Sequence, residues 1–288
     1  MDIYRGPTAQ PAVRSWCERA LDQSGLDIDR DVVATSLGPT HVTRAGCAGP
    51  EVLVLPGTNL NAATSLPLLE ELATRFRASV VDIPGQPGLG GGDRPDHDHV
   101  DRYQRWLDEV IAAVGGGPVT VLGHSLGAAI ALCATPGPRI RGLVLACPAG
   151  LISARTPGAV MRVALPWLAR PSLARSARLL RVMSGPASEA DPRLVEWMTL
   201  AGTVTRTSRS PAPLPGSVLE RWRGTPVAVL AGSADRFFPP VLLAQRARLW
   251  LAATTRTVDG CGHLLPYESP RVTADAVADL VAGSRPAT

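Results

Sequence analysis

Five short runs of β-branched and leucine residues, separated by stretches with helical spacing, constrain this chain more than any other feature of its sequence. The runs are Val52–Leu55, Ser79–Ile83, Val119–Leu122, Leu143–Ala146 and Val227–Leu230. Near-continuous apolar runs of this length suit strands covered on both faces, as in a parallel sheet. Helical periodicity fills the intervals at Leu66–Phe76, Tyr103–Val114 and Leu126–Ala134, and continues after the last run at Val241–Leu251 and Val272–Val281. Alternation of this kind predicts βαβ units and an α/β fold with a mostly parallel sheet. Ahead of it, residues 11–24 read as an amphipathic helix. Val32–Ser36 and His41–Arg44 flank Gly38-Pro39 as the arms of an antiparallel hairpin.

The alternation stops between residues 151 and 215. Leucine and tryptophan recur there at helical spacing, prolines interrupt them, and no strand pattern is present. The expected organisation is an α/β core of residues 1–150 and 216–288, with residues 151–215 inserted as a helical lid. Ser208–Pro215 reads as a linker back to the sheet. Lysine is absent, so all 29 basic residues are arginine against 25 acids. The lid holds nine arginines and three acids, which places the basic excess there. No basic run, zinc finger, RNP or KH pattern accompanies it, so no nucleic-acid partner is expected. No apolar run is long enough to span a membrane. The first residues lack a basic stretch followed by an apolar one, and a cytoplasmic location is expected. Five cysteines without CxxC spacing point to neither a disulfide framework nor a zinc site.

The sharpest chemical signal is Gly123-His124-Ser125-Leu126-Gly127, between the Val119–Leu122 strand and a helix rich in alanine and leucine. In that context GxSxG makes a strained turn that lifts a nucleophilic serine clear of the sheet, with a helix N-terminus behind it. A serine hydroxyl needs a base. Among His41, His97, His99, His124 and His263, the last fits best, in a loop between the last strand pattern and the last helix. His97 and His99 lie in an acidic loop and are expected to be solvated, and His124 is expected to point away from the reaction. The acid that orients the base is expected after a late strand. Asp235 follows Val227–Leu230 and is preferred to Asp259, which ends the next strand. Serine, acid, histidine is the chain order this elbow implies. Two backbone donors for an oxyanion are expected at Leu126 and at Thr58, in the loop Pro56-Gly57-Thr58-Asn59.

With these residues in place, the chain resembles the α/β-hydrolase superfamily over nearly its whole length, and bacterial carboxylesterase-type members in particular. The N-terminal helix and hairpin, Asp82-Ile83-Pro84-Gly85-Gln86-Pro87-Gly88 and Gly262-His263-Leu264-Leu265-Pro266 carry that likeness. It implies an eight-stranded, mostly parallel sheet with a helical lid after the sixth strand. Pro56-Gly57 stands where such proteins usually have His-Gly. A serine at the elbow, in place of aspartate, separates the chain from haloalkane dehalogenases and epoxide hydrolases.

The expected activity is hydrolysis of a small carboxylic ester or thioester through an acyl-enzyme on Ser125, without metal or organic cofactor. A thioesterase, cyclase or acyltransferase acting on a carrier-bound acyl chain is the alternative. Its acidic carrier would face the arginine-rich lid. The same residues also suit carbon–carbon bond hydrolysis. A non-catalytic receptor on this fold is disfavoured because all three positions are filled.

Overall fold

The computed structural model describes residues 1–95, 97–206 and 210–283. Ser208 and Arg209 of the expected linker lie outside them. Helix α1 (Ala9–Asp22) precedes the hairpin β1 (Ile28–Thr35) and β2 (Gly38–Ala45). Then come β3 (Glu51–Leu55), a 3₁₀ turn at Ala63–Ser65, α2 (Leu66–Ala73), β4 (Arg77–Val81), α3 (His99–Val114), β5 (Val119–His124), α4 (Leu126–Ala131) and β6 (Ile140–Ala146). Helices α5 (Gly158–Ala169), α6 (Leu173–Met183), α7 (Pro192–Val204) and α8 (Gly216–Glu220) lead to β7 (Val227–Gly232). The chain continues with α9 (Pro240–Leu251), β8 (Thr254–Val258), α10 (Leu265–Glu268) and α11 (Pro270–Gly283).

The strands form one eight-stranded sheet in the order β1-β2-β4-β3-β5-β6-β7-β8. The hairpin strand β2 pairs antiparallel with β4, and every pairing from β4 to β8 is parallel. The central strands β3, β5 and β6 are buried almost throughout, whereas β1 and β8 at the edges alternate in exposure. One face packs Trp106 and Leu107 of α3, α4, and Leu243 and Ala247 of α9 against Leu53, Leu55 and Val121. The other packs α2 and α11 against Val54, Leu122 and Val144. Parallel pairing brings the carboxyl ends of β3, β5, β6, β7 and β8 to one edge of the sheet, where α/β folds gather their functional loops. No helix among the described residues is long and apolar enough to cross a membrane.

A third apolar cluster lies over that edge. It joins α5, α6 and α7 to α1, to Ile3 and Tyr4, and to Leu60 and Leu264 of the loops below. The N-terminal residues are threaded into it: the Arg5 N–H donates to the Val204 carbonyl at 2.8 Å, and the Arg206 N–H to that of Ile3 at 2.7 Å. Trp167, Trp197 and Met198 belong to this cluster's interior. Trp197 is fully buried, packs on Trp16 with ring centroids 4.7 Å apart, and donates its indole N–H to the Asn59 carbonyl at 2.6 Å. It thereby ties α7 to the loop after β3. Trp197→Ala should cost about 3–5 kcal/mol of stability, the usual range for emptying a buried tryptophan site. Urea unfolding checks this, and a loss below about 1 kcal/mol would contradict the packing described.

Candidate active site

Ser125 sits between β5 and α4 with φ 50° and ψ −110°, a conformation that side-chain-bearing residues rarely adopt. Its neighbours explain how the turn closes. A Cβ at Gly123 would lie 2.5 Å from the Ala128 Cα, and one at Gly127 would collide with the Leu55 carbonyl oxygen of β3. Both glycines of GxSxG are therefore required by contact. The Ser125 N–H donates to the Ala146 carbonyl of β6 at 3.0 Å, and its own carbonyl accepts from the N–H groups of Ala128, Ala129 and Ala149.

The serine hydroxyl lies 3.0 Å from His263 Nε2, and His263 Nδ1 lies 2.9 Å from Asp235 Oδ2. Because an ionised carboxylate only accepts, Nδ1 carries the hydrogen and Nε2 is free to take the serine proton. All three residues are buried. Burial by itself would raise the Asp235 pKa. The His263 charge and hydrogen bond, with the N–H groups of Phe238 and Phe237, outweigh it and hold the carboxyl below its ordinary value. The two N–H bonds run to Asp235 Oδ1 at 3.1 and 2.8 Å. Asp259 is exposed, and Asp235 occupies the position beside the imidazole.

His263 is gripped from several sides. Its N–H donates to the Met183 carbonyl at the end of α6, at 2.6 Å. Its ring packs on those of Phe237 and Phe238, with centroids 5.1 and 5.4 Å away. The preceding Gly262 N–H donates to Glu268 Oε1 at 3.0 Å, while Glu268 Oε2 accepts from the Gly185 N–H and the Ser188 hydroxyl. Sequence reasoning missed Glu268, whose partners lie in chain segments far apart.

His124 departs from expectation. Its ring does not point away: it lies 5.3 Å from the His263 ring and lines the same cavity. Its Nε2 lies 2.8 Å from the His263 carbonyl, which can only accept, so Nε2 carries the hydrogen. Burial, then the neighbouring His263, push its pKa down to about 3, so it stays neutral. Gly57 makes room for it, since a Cβ there would lie 2.7 Å from His124 Nδ1. His97 and His99 are exposed as expected, and His41 is buried beside Asp82.

Thr58, Ser125 and His263 line one cavity of about 170 Å³ together with Met183, Phe237 and Phe238. Neither the Thr58 nor the Leu126 N–H has a hydrogen-bond partner among the described residues. The loop that carries Thr58 is fixed by the Asn59 N–H, which donates to Gln86 Oε1 at 2.8 Å, and by the Trp197 bond to the Asn59 carbonyl. Ligating atoms of Cys147, Asp235 and His263 lie within 4.8 Å of one another. Burial, and then Asp235, push the Cys147 thiol well above its ordinary range.

Comparison with known proteins agrees with this architecture. A model of the alpha/beta hydrolase family matches residues 52–276. A pimeloyl-[acyl-carrier protein] methyl ester esterase from Xanthomonas axonopodis pv. citri (strain 306) is 30% identical over 248 residues, covering 75% of this chain and 88% of that protein. The magnesium-chelatase 30 kDa subunit of Rhodobacter capsulatus is 26% identical over 258 residues, covering 81% and 86%. Among solved structures, the naproxen esterase of Bacillus subtilis shares the fold with a TM-score of 0.82 at 18% identity, covering 96% of this chain and 99% of that one. With the strand order and the strained serine turn already in place, the match over residues 52–276 leaves one assignment: the chain belongs to the alpha/beta hydrolase family.

Proposed function

We propose that the protein hydrolyses a carboxylic ester through an acyl-enzyme, with Ser125 as nucleophile, His263 as base and Asp235 as its orienting acid. The observation that carries this is the chain of contacts from Ser125 Oγ to His263 Nε2, 3.0 Å, and from His263 Nδ1 to Asp235 Oδ2, 2.9 Å. Ser125 Oγ attacks the ester carbonyl and its proton passes to His263 Nε2. The Thr58 and Leu126 N–H groups receive the oxyanion, and Asp235 stabilises the imidazolium. The C–O bond to the alcohol breaks as the alkoxide takes the proton back from His263. Water then repeats the sequence on the acyl-serine, releasing the acid and restoring the hydroxyl. The helical segment between β6 and β7 acts in this reading as a lid over the site.

A second reading, a carrier-bound acyl ester as substrate, is favoured by the esterase relatives and by the charge of that segment. Arg162, Arg170 and Arg178 are exposed there beside the exposed Leu165, Leu168 and Leu173. Such a face suits an acidic partner with an apolar edge.

Ser125→Ala should abolish turnover of p-nitrophenyl acetate in a folded protein. Asp235→Asn should lower kcat by about 10⁴-fold, and Asp259→Asn by far less. Near wild-type turnover in Ser125→Ala, or the reverse ranking of the aspartates, would refute the assignment. Rate should also rise with pH through a single ionisation. Asp235 is held below its ordinary value and His124 stays neutral down to about pH 3, so neither adds a proton to the acid limb, which reports the general base alone. An acid limb that needs two protons would contradict this. For the second reading, Arg162→Glu with Arg170→Glu should lower kcat/KM for a carrier-bound ester relative to a small one, and an unchanged ratio would remove the carrier from consideration.

A further inference from the structure

His263 is held through its main chain as well as its ring. It stands in the loop between β8 and α10, outside any helix or strand, so its backbone N–H and carbonyl need partners from elsewhere. The N–H donates to the Met183 carbonyl at 2.6 Å. Among the described residues no backbone N–H donates to the His263 carbonyl. The His124 imidazole fills that place, with Nε2 2.8 Å from the carbonyl oxygen.

His124 is the last residue of β5 and the residue before Ser125. Its backbone pairs with Ala146 of β6, and the whole of β5 is buried. Two bonds therefore run side by side from this turn to one residue of a distant loop. One joins Ser125 Oγ and His263 Nε2 at 3.0 Å, and the other joins His124 Nε2 and the His263 carbonyl at 2.8 Å. The proposed reaction treats them differently. The first hands over a proton at each step, whereas the second transfers none and persists while the base gains and loses charge. The Met183 bond refers His263 to the helices over the site. The His124 bond refers it to the sheet that carries the nucleophile.

The surroundings of His124 select the form that can do this. Its Nδ1 is buried without a partner among the described residues and lies against Gly57, where a Cβ would come within 2.7 Å. A hydrogen on Nδ1 would find no acceptor there, so both ends of the ring favour the Nε2–H tautomer. Tyr267 packs on the ring with centroids 5.6 Å apart and planes at 65°. Burial keeps the imidazole neutral, so no second positive charge stands beside a base that must itself become positive.

We infer that His124 is a positioning residue for the base: it ties the His263 main chain to the nucleophile turn and so sets the separation of Oγ and Nε2 across which the proton moves. This deepens the ester-hydrolase reading above and rests on it. Such constellations must be held to about 0.5 Å, and a misplacement of ~1 Å costs on the order of a hundredfold in rate.

The experiment measures kcat for p-nitrophenyl acetate per folded molecule, with thermal melting of each preparation, on the intact chain and three variants. His124→Gln carries its amide nitrogen close to the place of Nε2 and can still donate to the His263 carbonyl. His124→Asn carries it close to the place of Nδ1 and falls short. His124→Leu fills the space without a donor. The Asn and Leu variants should lose about tenfold to a hundredfold in kcat, and the Gln variant should recover most of that loss. A Leu variant as active as the wild type, or a Gln variant as impaired as the Leu one, would overturn the inference and leave His124 as a space-filling residue. A second measurement needs no variant to fold. The chain has five histidines, and nitrogen-15 NMR of the wild type should find the His124 ring in the Nε2–H form, unchanged from about pH 5 to 8. A hydrogen on Nδ1, or a His124 ring that titrates in that range, would also overturn it. Absence of any ester hydrolysis by the wild type would overturn the parent reading and this one with it.

Discussion

The contact between Gly127 and the Leu55 carbonyl is where the site and the fold meet. Helix α4 has to start against the end of β3 for Ser125 to rise from the sheet, and no side chain fits between them. The positive φ of Ser125 is strain that an isolated peptide would relax. Here it is imposed by β5 behind the serine, α4 ahead of it, and the Ala146 and Ala149 backbones that bond to it on the β6 side. Each of these neighbours is buried. The parallel core is thus the clamp that keeps one residue in an unfavourable conformation. The same arrangement leaves the first amide of α4, Leu126, without a partner among the described residues, because the opening residues of a helix have no acceptor within it.

The histidine is held by a different part of the molecule. Met183 belongs to α6, and Gly185 and Ser188 follow it, yet these residues carry the His263 N–H and share Glu268 with the His263 loop. Trp197 of α7 fixes the Asn59 carbonyl one residue from Thr58. The helices between β6 and β7 therefore contribute to the geometry of the proposed base and of the proposed oxyanion donors, besides covering them. Their apolar interior is shared with α1, and the N-terminal residues bond to the end of α7. Displacing them would cost buried tryptophan packing as well as these hydrogen bonds.

What was legible in the sequence follows from how local each signal is. Strands β3, β5, β6 and β7 announce themselves because double-sided burial demands unbroken apolar runs. Strand β8, Thr-Thr-Arg-Thr-Val, lies at the sheet edge with exposed positions, and its composition carries little of that signal. Ser125, His263 and Asp235 were readable from chain order and loop position, and the structure brings the three together. His124 was not, since the direction of its ring is set by the space that Gly57 leaves, 67 residues upstream and invisible to periodicity. Glu268 is similar: a lone acid after an apolar stretch, with partners that only the folded loops supply. The lining of a second cavity, of about 450 Å³, combines α3, α4, the loop after β4 and residues 210–215, a meeting that no single motif encodes.

Two buried aspartates show how finely such a site is separated from its surroundings. Asp82 is almost wholly enclosed and accepts the N–H groups of Ala62 at 2.8 Å and Leu89 at 2.6 Å. Burial nevertheless raises its pKa, because the nearest base, His41, is 4.0 Å away and is itself pushed toward neutrality by burial. Asp235 also accepts two backbone N–H groups and has a fully enclosed side chain, but an imidazole donates to it at 2.9 Å and its pKa falls. The backbone donors are equal in number, so the difference lies in about 1 Å of separation from a histidine. A pair in contact gains a hydrogen bond that a 4 Å pair lacks, and in a medium of low dielectric that bond offsets the desolvation of the charge. Asp235 is held below its ordinary value beside the histidine that becomes positive in the proposed reaction, the separation of environments by which acid and base roles are assigned within a single fold.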